Sequence, residues 1–180
     1  MNNVVKEIVS WLKVIVVGVL FAIAINKFIF TPISVQGASM MPTYEDGDRV
    51  VVNKIGKALS DFERFDVVVF KAPEGENYIK RIIGLPGDHI EYKDDVLYVN
   101  GEKFEEPYLD QYKLQLTDNG VLTFDFTLEE VAAVSEIPEN CYFVLGDHRR
   151  ISNDSRFSSV GLIRDEDILG KVSFRYFPLN

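Results

Sequence analysis

The chain has little of the chemistry that cysteine and histidine provide. Among its 180 residues there is one cysteine, Cys141, and two histidines, His89 and His148. A single cysteine excludes an intramolecular disulfide and a cysteine-based zinc site, so Cys141 is expected to be a small buried residue of a strand. No Asp-x-Asp-x-Asp-Gly loop is present, which argues against a calcium site of that kind. We therefore predict no metal and no other cofactor.

Basic charge is also scarce. The chain carries 19 lysines and arginines against 28 acidic residues, a formal net charge of −9. Nucleic-acid binding depends on basic surface, so a nucleic-acid partner is not expected. The acidic excess is concentrated between Glu91 and Glu139, which holds 13 acidic residues and three lysines. We interpret it as a solvated acidic surface, and residues from about 94 to 139 as an insertion beside a smaller core.

The longest apolar run lies near the N-terminus. Residues 14–25 carry no charged or polar side chain, and flanking lysines can snorkel, so the stretch from 8 to 30 reaches the roughly 20 residues of a bilayer span. We predict a cytoplasmic N-terminus (1–7), a transmembrane anchor (8–30) and an extracytoplasmic domain (31–180) at a cell membrane, oriented by Lys6 and Lys13. The alternative, a signal peptide cleaved after Ala22-Ile23-Ala24, is disfavoured because the chain stays apolar through Phe30.

From Thr31 onward the pattern becomes that of strands. We expect Pro32 to end the N-terminal helix. Period-two and β-branched runs predict strands at Arg49–Asn53, Asp66–Phe70, Ile90–Lys93, Val96–Val99, Glu102–Phe104, Tyr142–Leu145 and Ile168–Phe177. Turns are expected at Asp94-Asp95 and Asn100-Gly101, and a short helix at Thr127–Val131 with Thr127 as its cap. The predicted fold is mainly antiparallel β, in several small sheets, with one N-terminal transmembrane helix.

Candidate catalytic residues lie in three stretches. A serine hydroxyl such as that of Ser39 needs a base, and a lysine can serve only if burial lowers its pKa enough to leave it neutral. Lys80 is flanked by isoleucines, and strand alternation would place it on one face with Tyr78 and Ile82. A Ser39–His148–Asp147 triad stays open, although adjacent residues of an extended backbone point in different directions.

Taken together, the three stretches resemble the motif boxes of the type I signal peptidases. They are Ser39–Thr43 followed by Gly47-Asp48, Lys80–Asp88, and Gly146–Arg156. The resemblance, closest to the single-anchor enzymes of Gram-positive bacteria, implies a signal-peptidase-like β fold. It also implies a membrane-bound serine endopeptidase that cleaves N-terminal signal peptides from exported preproteins after small residues of the Ala-x-Ala type. Its partners would be preproteins and the lipid bilayer; no oligomeric state is predicted.

The resemblance also implies roles for individual residues. Ser39 would attack the scissile carbonyl, Lys80 would take its proton, and Ser152 would orient the lysine amine. The backbone N–H of Ser39 would form the oxyanion hole, and Gly37 stands where some members add a hydroxyl donor. The remaining assignments are a structural ion pair and the substrate contacts, namely Asp154 with Arg156, and Val35, Gln36, Met40, Tyr78 and Ile79. His148 replaces the asparagine usual in the family.

Two other functions are compatible with parts of the sequence. A self-cleaving repressor-type protease also uses a Ser–Lys pair on a β fold, but it would need a DNA-binding domain where this chain has an apolar run. A membrane-anchored β domain that only binds a partner would leave Lys80 solvated. In that case replacement of Ser39 by alanine would have no effect on function.

Overall fold

The computed structural model describes residues 3–28, 30–54, 62–117 and 120–178. The first element is helix α1 (Asn3–Phe28), whose side chains from Val5 to Ile23 are exposed. Within these described residues, no helix is both long enough and apolar enough to cross a membrane. The predicted anchor includes residue 29 and the side chains of 24–28, which lie outside what the structure describes. The anchor therefore stays a prediction.

The larger of two sheets has seven antiparallel strands. Across the sheet they are β1 (Phe30–Ser34), β2 (Arg49–Asn53), β11 (Ile168–Phe177), β3 (Val67–Lys71), β4 (Asn77–Gly84), β9 (Cys141–Leu145) and β10 (Ile163–Arg164). Strand β1 is at the edge, and Pro32 lies within it rather than ending the helix, which stops at Phe28. An edge strand tolerates proline because one side of its backbone has no ladder to complete.

The smaller sheet is a four-stranded antiparallel meander. Its order is β7 (Glu102–Phe104), β6 (Val96–Val99), β5 (Ile90–Lys93) and β8 (Phe126–Thr127). Both predicted turns are present, and each has two residues with positive φ: 51° and 62° at Asp94-Asp95, and 54° and 80° at Asn100-Gly101. Such turns match the twist of the strands they join. The described residues thus form two sheets, not several small ones.

Short helices complete the fold. Helix α2 (Asp110–Leu114) follows a 3₁₀ turn at Pro107–Leu109, and another 3₁₀ turn covers Asp165–Asp167. Helix α3 (Leu128–Ala132) starts with a capping box in which Thr127 and Glu130 each bind the other's backbone N–H. The predicted cap at Thr127 is confirmed, and the helix begins one residue after it.

Three hydrophobic clusters hold the sheets together, and strand β4 contributes to all of them. Ile82 packs in the first cluster with Tyr78 at its border, Ile83 in the second, and Ile79 in the third. The second cluster joins the small sheet to β9, because its buried members include Leu97, Phe126, Leu128, Phe143 and Leu145. Part of the 94–139 segment is therefore built into the core. Cys141 starts β9 and is half-buried rather than buried.

Candidate active site

The loop after β1 holds Ser39 in a fixed position. Val35 N–H donates to the Asp48 carbonyl at 2.7 Å, and Gly47 N–H donates back to the Val35 carbonyl at 3.0 Å, so the loop closes on itself. Met40, with no exposed surface, anchors the loop in the third hydrophobic cluster. The backbone N–H of His148 donates to the Ser39 carbonyl at 3.0 Å. Ser39 is thus held from the core on one side and from the 146–156 loop on the other.

Lys80 reaches Ser39 from the middle of the large sheet. Its strand, β4, pairs with β3 at this position, and the residue is 3% exposed. The Lys80 Nζ donates to Ser39 Oγ at 2.7 Å. Burial lowers the pKa of Lys80 to about 8, against the opposing attraction of the Asp154 and Asp147 carboxylates. At pH 7 about a tenth of the amine is therefore neutral and able to accept a proton.

Ser152 lies beside this pair but does not make the expected contact. Its Oγ is buried and has no hydrogen-bond partner among the described residues, Lys80 included. Its backbone N–H donates to the His148 carbonyl at 3.1 Å. Ser152, Gly146 and Ser39 crowd together, because a Cβ added at Gly146 would collide with Ser152 Oγ and lie 2.5 Å from the Ser39 carbonyl oxygen. The role of Ser152 stays a prediction.

The predicted ion pair is present beneath the site. Arg156 Nε donates to Asp154 Oδ1 at 2.8 Å and Arg156 Nη2 donates to Asp154 Oδ2 at 2.9 Å, with both side chains buried. Asp154 Oδ2 also accepts the Gly146 N–H at 3.0 Å, and Arg156 Nη2 donates to the Arg149 carbonyl at 2.7 Å. The pair therefore ties both ends of the 146–156 loop together.

The alternative triad is not assembled. The His148 ring lies against Tyr112 of α2, whose hydroxyl is within 3.0 Å of both ring nitrogens, and burial lowers the pKa of His148. Asp147, which is fully buried, accepts hydrogen bonds from Arg81 Nε at 2.9 Å and Nη2 at 2.6 Å. Neither group is directed to the Ser39 hydroxyl.

A buried polar network around Asp147 was not predicted from the sequence. Thr43 Oγ1 donates to Asp147 Oδ2 at 2.5 Å, so the Ser39 loop, strand β4 and the 146–156 loop meet at this carboxylate. The Arg81 guanidinium lies 3.9 Å from the centre of the Tyr108 ring, a cation–π contact. The many charged residues next to Lys80 and within 146–156 indicate that a polar network could form there. The sequence does not show which of them pair.

The second part of the network links the site to the small sheet. Arg149, with a fully buried side chain, donates to Glu106 Oε1 at 2.5 Å, to the Tyr92 hydroxyl at 2.7 Å and to Thr123 Oγ1 at 3.1 Å. Its Nε donates to the Gly146 carbonyl at 3.1 Å. A buried guanidinium is tolerated because a carboxylate and several oxygens satisfy it. The network therefore connects the acidic segment directly to the 146–156 loop.

A cleft of about 550 Å³ opens beside Ser39 and Lys80. Four of the five predicted substrate-contacting residues line it, namely Val35, Gln36, Tyr78 and Ile79. The fifth, Met40, does not, because its side chain is wholly inside the core. A substrate contact by Met40 stays a prediction, and the side chain does not contribute to the cleft.

The backbone N–H groups of Ser39 and Gly37 differ in whether they already donate a hydrogen bond. No described residue accepts a hydrogen bond from the Ser39 N–H, which leaves it available to an oxyanion. Gly37 has φ of +81°, and its N–H donates to Asp46 Oδ1 at 2.8 Å. The Gly37 N–H is thus already occupied in this structure.

The chain is similar to several known proteins over most of its length. The family described as "Signal peptidase, peptidase S26" matches residues 8–177. The chain is 50% identical over 162 residues to a signal peptidase I of Bacillus caldolyticus, covering 90% of this chain and 87% of that protein. It is 44% identical over 179 residues to a signal peptidase IB of Staphylococcus aureus strain COL, covering 97% and 92%. The crystal structure of a signal peptidase I from Enterococcus faecalis V583 aligns with a TM-score of 0.60 at 41% identity, covering 63% of this chain and 98% of that one.

Proposed function

The chain belongs to the signal peptidase family, peptidase S26, and is therefore a serine endopeptidase that acts on preproteins with signal peptides; we propose that Ser39 is its nucleophile and Lys80 its general base. The observation that carries the proposal is the 2.7 Å separation of Lys80 Nζ and Ser39 Oγ in a buried setting that lowers the lysine pKa. A binding domain without catalysis would have left Lys80 in solvent, whereas it is 3% exposed.

The reaction begins with the neutral Lys80 amine taking the proton from Ser39 Oγ as the oxygen attacks the scissile carbonyl. The negative charge that develops on the carbonyl oxygen is stabilised by the Ser39 N–H. The Lys80 ammonium then gives its proton to the departing amine of the mature protein, leaving an acyl-enzyme. A water that loses its proton to Lys80 attacks this ester, and the proton returns to Ser39 Oγ. Ser152 would orient the amine after rotation of its free hydroxyl.

The substrate binds as an extended strand between two exposed backbone segments. Strand β1 is an edge, which leaves the backbone around Ile33–Gln36 open on the cleft side. Strand β9 pairs with β4 only from Arg81 onward, so Asn77–Lys80 also have one side without a described partner strand. Addition of a peptide strand at such edges is a common recognition mode. Val35 and Ile79 then form shallow apolar pockets for small residues before the cut.

The segment from 8 to 30 acts as a membrane anchor, with residues 1–7 in the cytoplasm and residues 31–180 outside. In support, large side chains of α1 such as Trp11 (66% exposed) and Phe21 (67% exposed) do not pack on the β domain. The protein should sediment with membranes after alkaline carbonate washing, and protease added outside spheroplasts should digest the 31–180 domain. Release into the carbonate supernatant would contradict the anchor.

Cleavage of a preprotein with an Ala-x-Ala site, followed in detergent by gel mobility, tests the catalytic assignment. Ser39→Ala and Lys80→Ala should abolish cleavage. The matched controls Ser158→Ala and Lys93→Ala, at exposed positions outside the cleft, should cleave as the unchanged protein does. Circular dichroism establishes that each variant is folded. A folded Lys80→Ala protein that keeps most of its activity would refute the proposed base.

A further inference from the structure

The cleft has a strongly uneven distribution of charge. Of the described residues that line it, only Lys80 and Glu76 are charged. The facing wall, built from Ile33, Ser34, Val35 and Gln36, is uncharged. Because Lys80 must be neutral to act as a base, the Glu76 carboxylate is the one lasting charge among these lining residues during the reaction.

Glu76 is held at the end of the cleft away from Ser39. It lies in the hairpin turn between β3 and β4, where its carbonyl accepts the Ala72 N–H at 2.8 Å. It precedes Lys80 by four residues, a distance of roughly 13 Å along an extended strand at about 3.3 Å per residue. The neighbouring Glu74 adds negative charge, and its carboxylate accepts the Tyr78 hydroxyl at 2.7 Å. Lys71 is close in sequence but does not line the cleft.

In the proposed binding mode the substrate runs parallel to β4 with its cleaved bond at Ser39. It advances by the same 3.3 Å per residue, so its fourth and fifth residues before that bond reach Glu76. We propose that Glu76 makes this peptidase discriminate by charge at those two substrate positions, favouring lysine or arginine and disfavouring glutamate or aspartate. The inference rests on the proposed function, since the cleft must hold the segment that precedes the cut. A single solvent-exposed charge acts weakly, so it biases the choice among substrates and does not determine cleavage alone.

The test uses internally quenched peptides with one Ala-x-Ala site and lysine, glutamine or glutamate at the fourth or, separately, the fifth position before the cut. For the full-length protein in detergent, kcat/KM should be about fivefold higher for lysine than for glutamate at one or both positions. Glu76→Gln should reduce that ratio to near one, and Glu76→Lys should invert it. The matched control Glu102→Gln removes an exposed carboxylate of β7, outside the cleft, and should keep the full ratio. High salt should reduce the ratio in the unchanged protein.

The outcomes separate this inference from the proposed function. If the glutamine peptides are cleaved in a Ser39-dependent manner but lysine and glutamate give equal rates, the inference is wrong and the peptidase function stands. A preference that survives in Glu76→Gln, or is lost equally in Glu102→Gln, also overturns it. If Ser39-dependent cleavage of the glutamine peptides is absent, the proposed function fails and the inference fails with it.

Discussion

The strongest test of the proposed mechanism is the pH dependence of cleavage, because it depends on the fraction of Lys80 that is neutral. A lysine with its ordinary pKa near 10.5 would be neutral in only about one molecule in 3,000 at pH 7. Burial lowers the pKa of Lys80 to about 8, which makes about one molecule in ten competent at the same pH. Burial thus supplies a gain of roughly 300-fold in the active form.

The direction of the pH effect on kcat/KM follows because Lys80 can act as a base only when it is neutral. The value of kcat/KM should rise about tenfold per pH unit below pH 8 and level off above about pH 9. The assay is cleavage of an Ala-x-Ala peptide under kcat/KM conditions, since that parameter reports the free enzyme. His148→Asn serves as the control, because it removes the imidazole of the alternative triad while the backbone N–H that binds the Ser39 carbonyl remains. Its midpoint should match that of the unchanged protein.

Two results would refute this reasoning. A midpoint at or below pH 6.5 that disappears in His148→Asn would show that the imidazole is the base, even though its ring contacts Tyr112. A midpoint near pH 10.5 would show that Lys80 is not desolvated in the working enzyme. Measuring the stability of each protein at both ends of the pH range excludes unfolding as the cause of lost activity.

Two further predictions concern stability. Because the folded pKa of Lys80 lies below its unfolded value, the folded protein is penalised below pH 8 and regains stability as pH rises to about 10.5. Lys80→Met should therefore be inactive, yet urea unfolding should show it to be up to about 3 kcal/mol more stable than the unchanged protein at pH 7. At pH 10.5 the gain in stability should be small. Equal stability of the two proteins at pH 7 would count against the burial argument. Gly146→Ala should place a methyl group into Ser152 and the Ser39 carbonyl, with a loss of about 1–3 kcal/mol by urea unfolding and more than tenfold in kcat/KM. Gly18→Ala, which meets no atom within 4 Å, is its control, and unchanged activity in Gly146→Ala would refute the crowding inferred there.

Local patterns in the sequence were sufficient for most of the strands. Strands β2, β5, β6, β7 and β11 have the predicted bounds, because β-branched or alternating residues and turns that demand positive φ act over a few residues. The predicted end of α1 at Pro32 was wrong since the chain had already entered an edge strand. Whether proline ends a helix or lies in a strand depends on where that strand sits in the sheet, which is not a local property.

The composition and motifs of the chain also determined which residues could be catalytic, with Ser39 and Lys80 identified through resemblance to a known family. Only the tertiary structure decided what surrounds them. Thr43 and Asp147 are 104 residues apart, and Glu106 and Arg149 are 43 apart, yet each pair forms a hydrogen bond, partly buried in the first case and buried in the second. The tertiary structure likewise decides that Met40 lies in the core and that Glu76 lines the cleft. Burial and charge pairing depend on which strands meet, and burial is what lowers the pKa of Lys80 against the attraction of the neighbouring carboxylates.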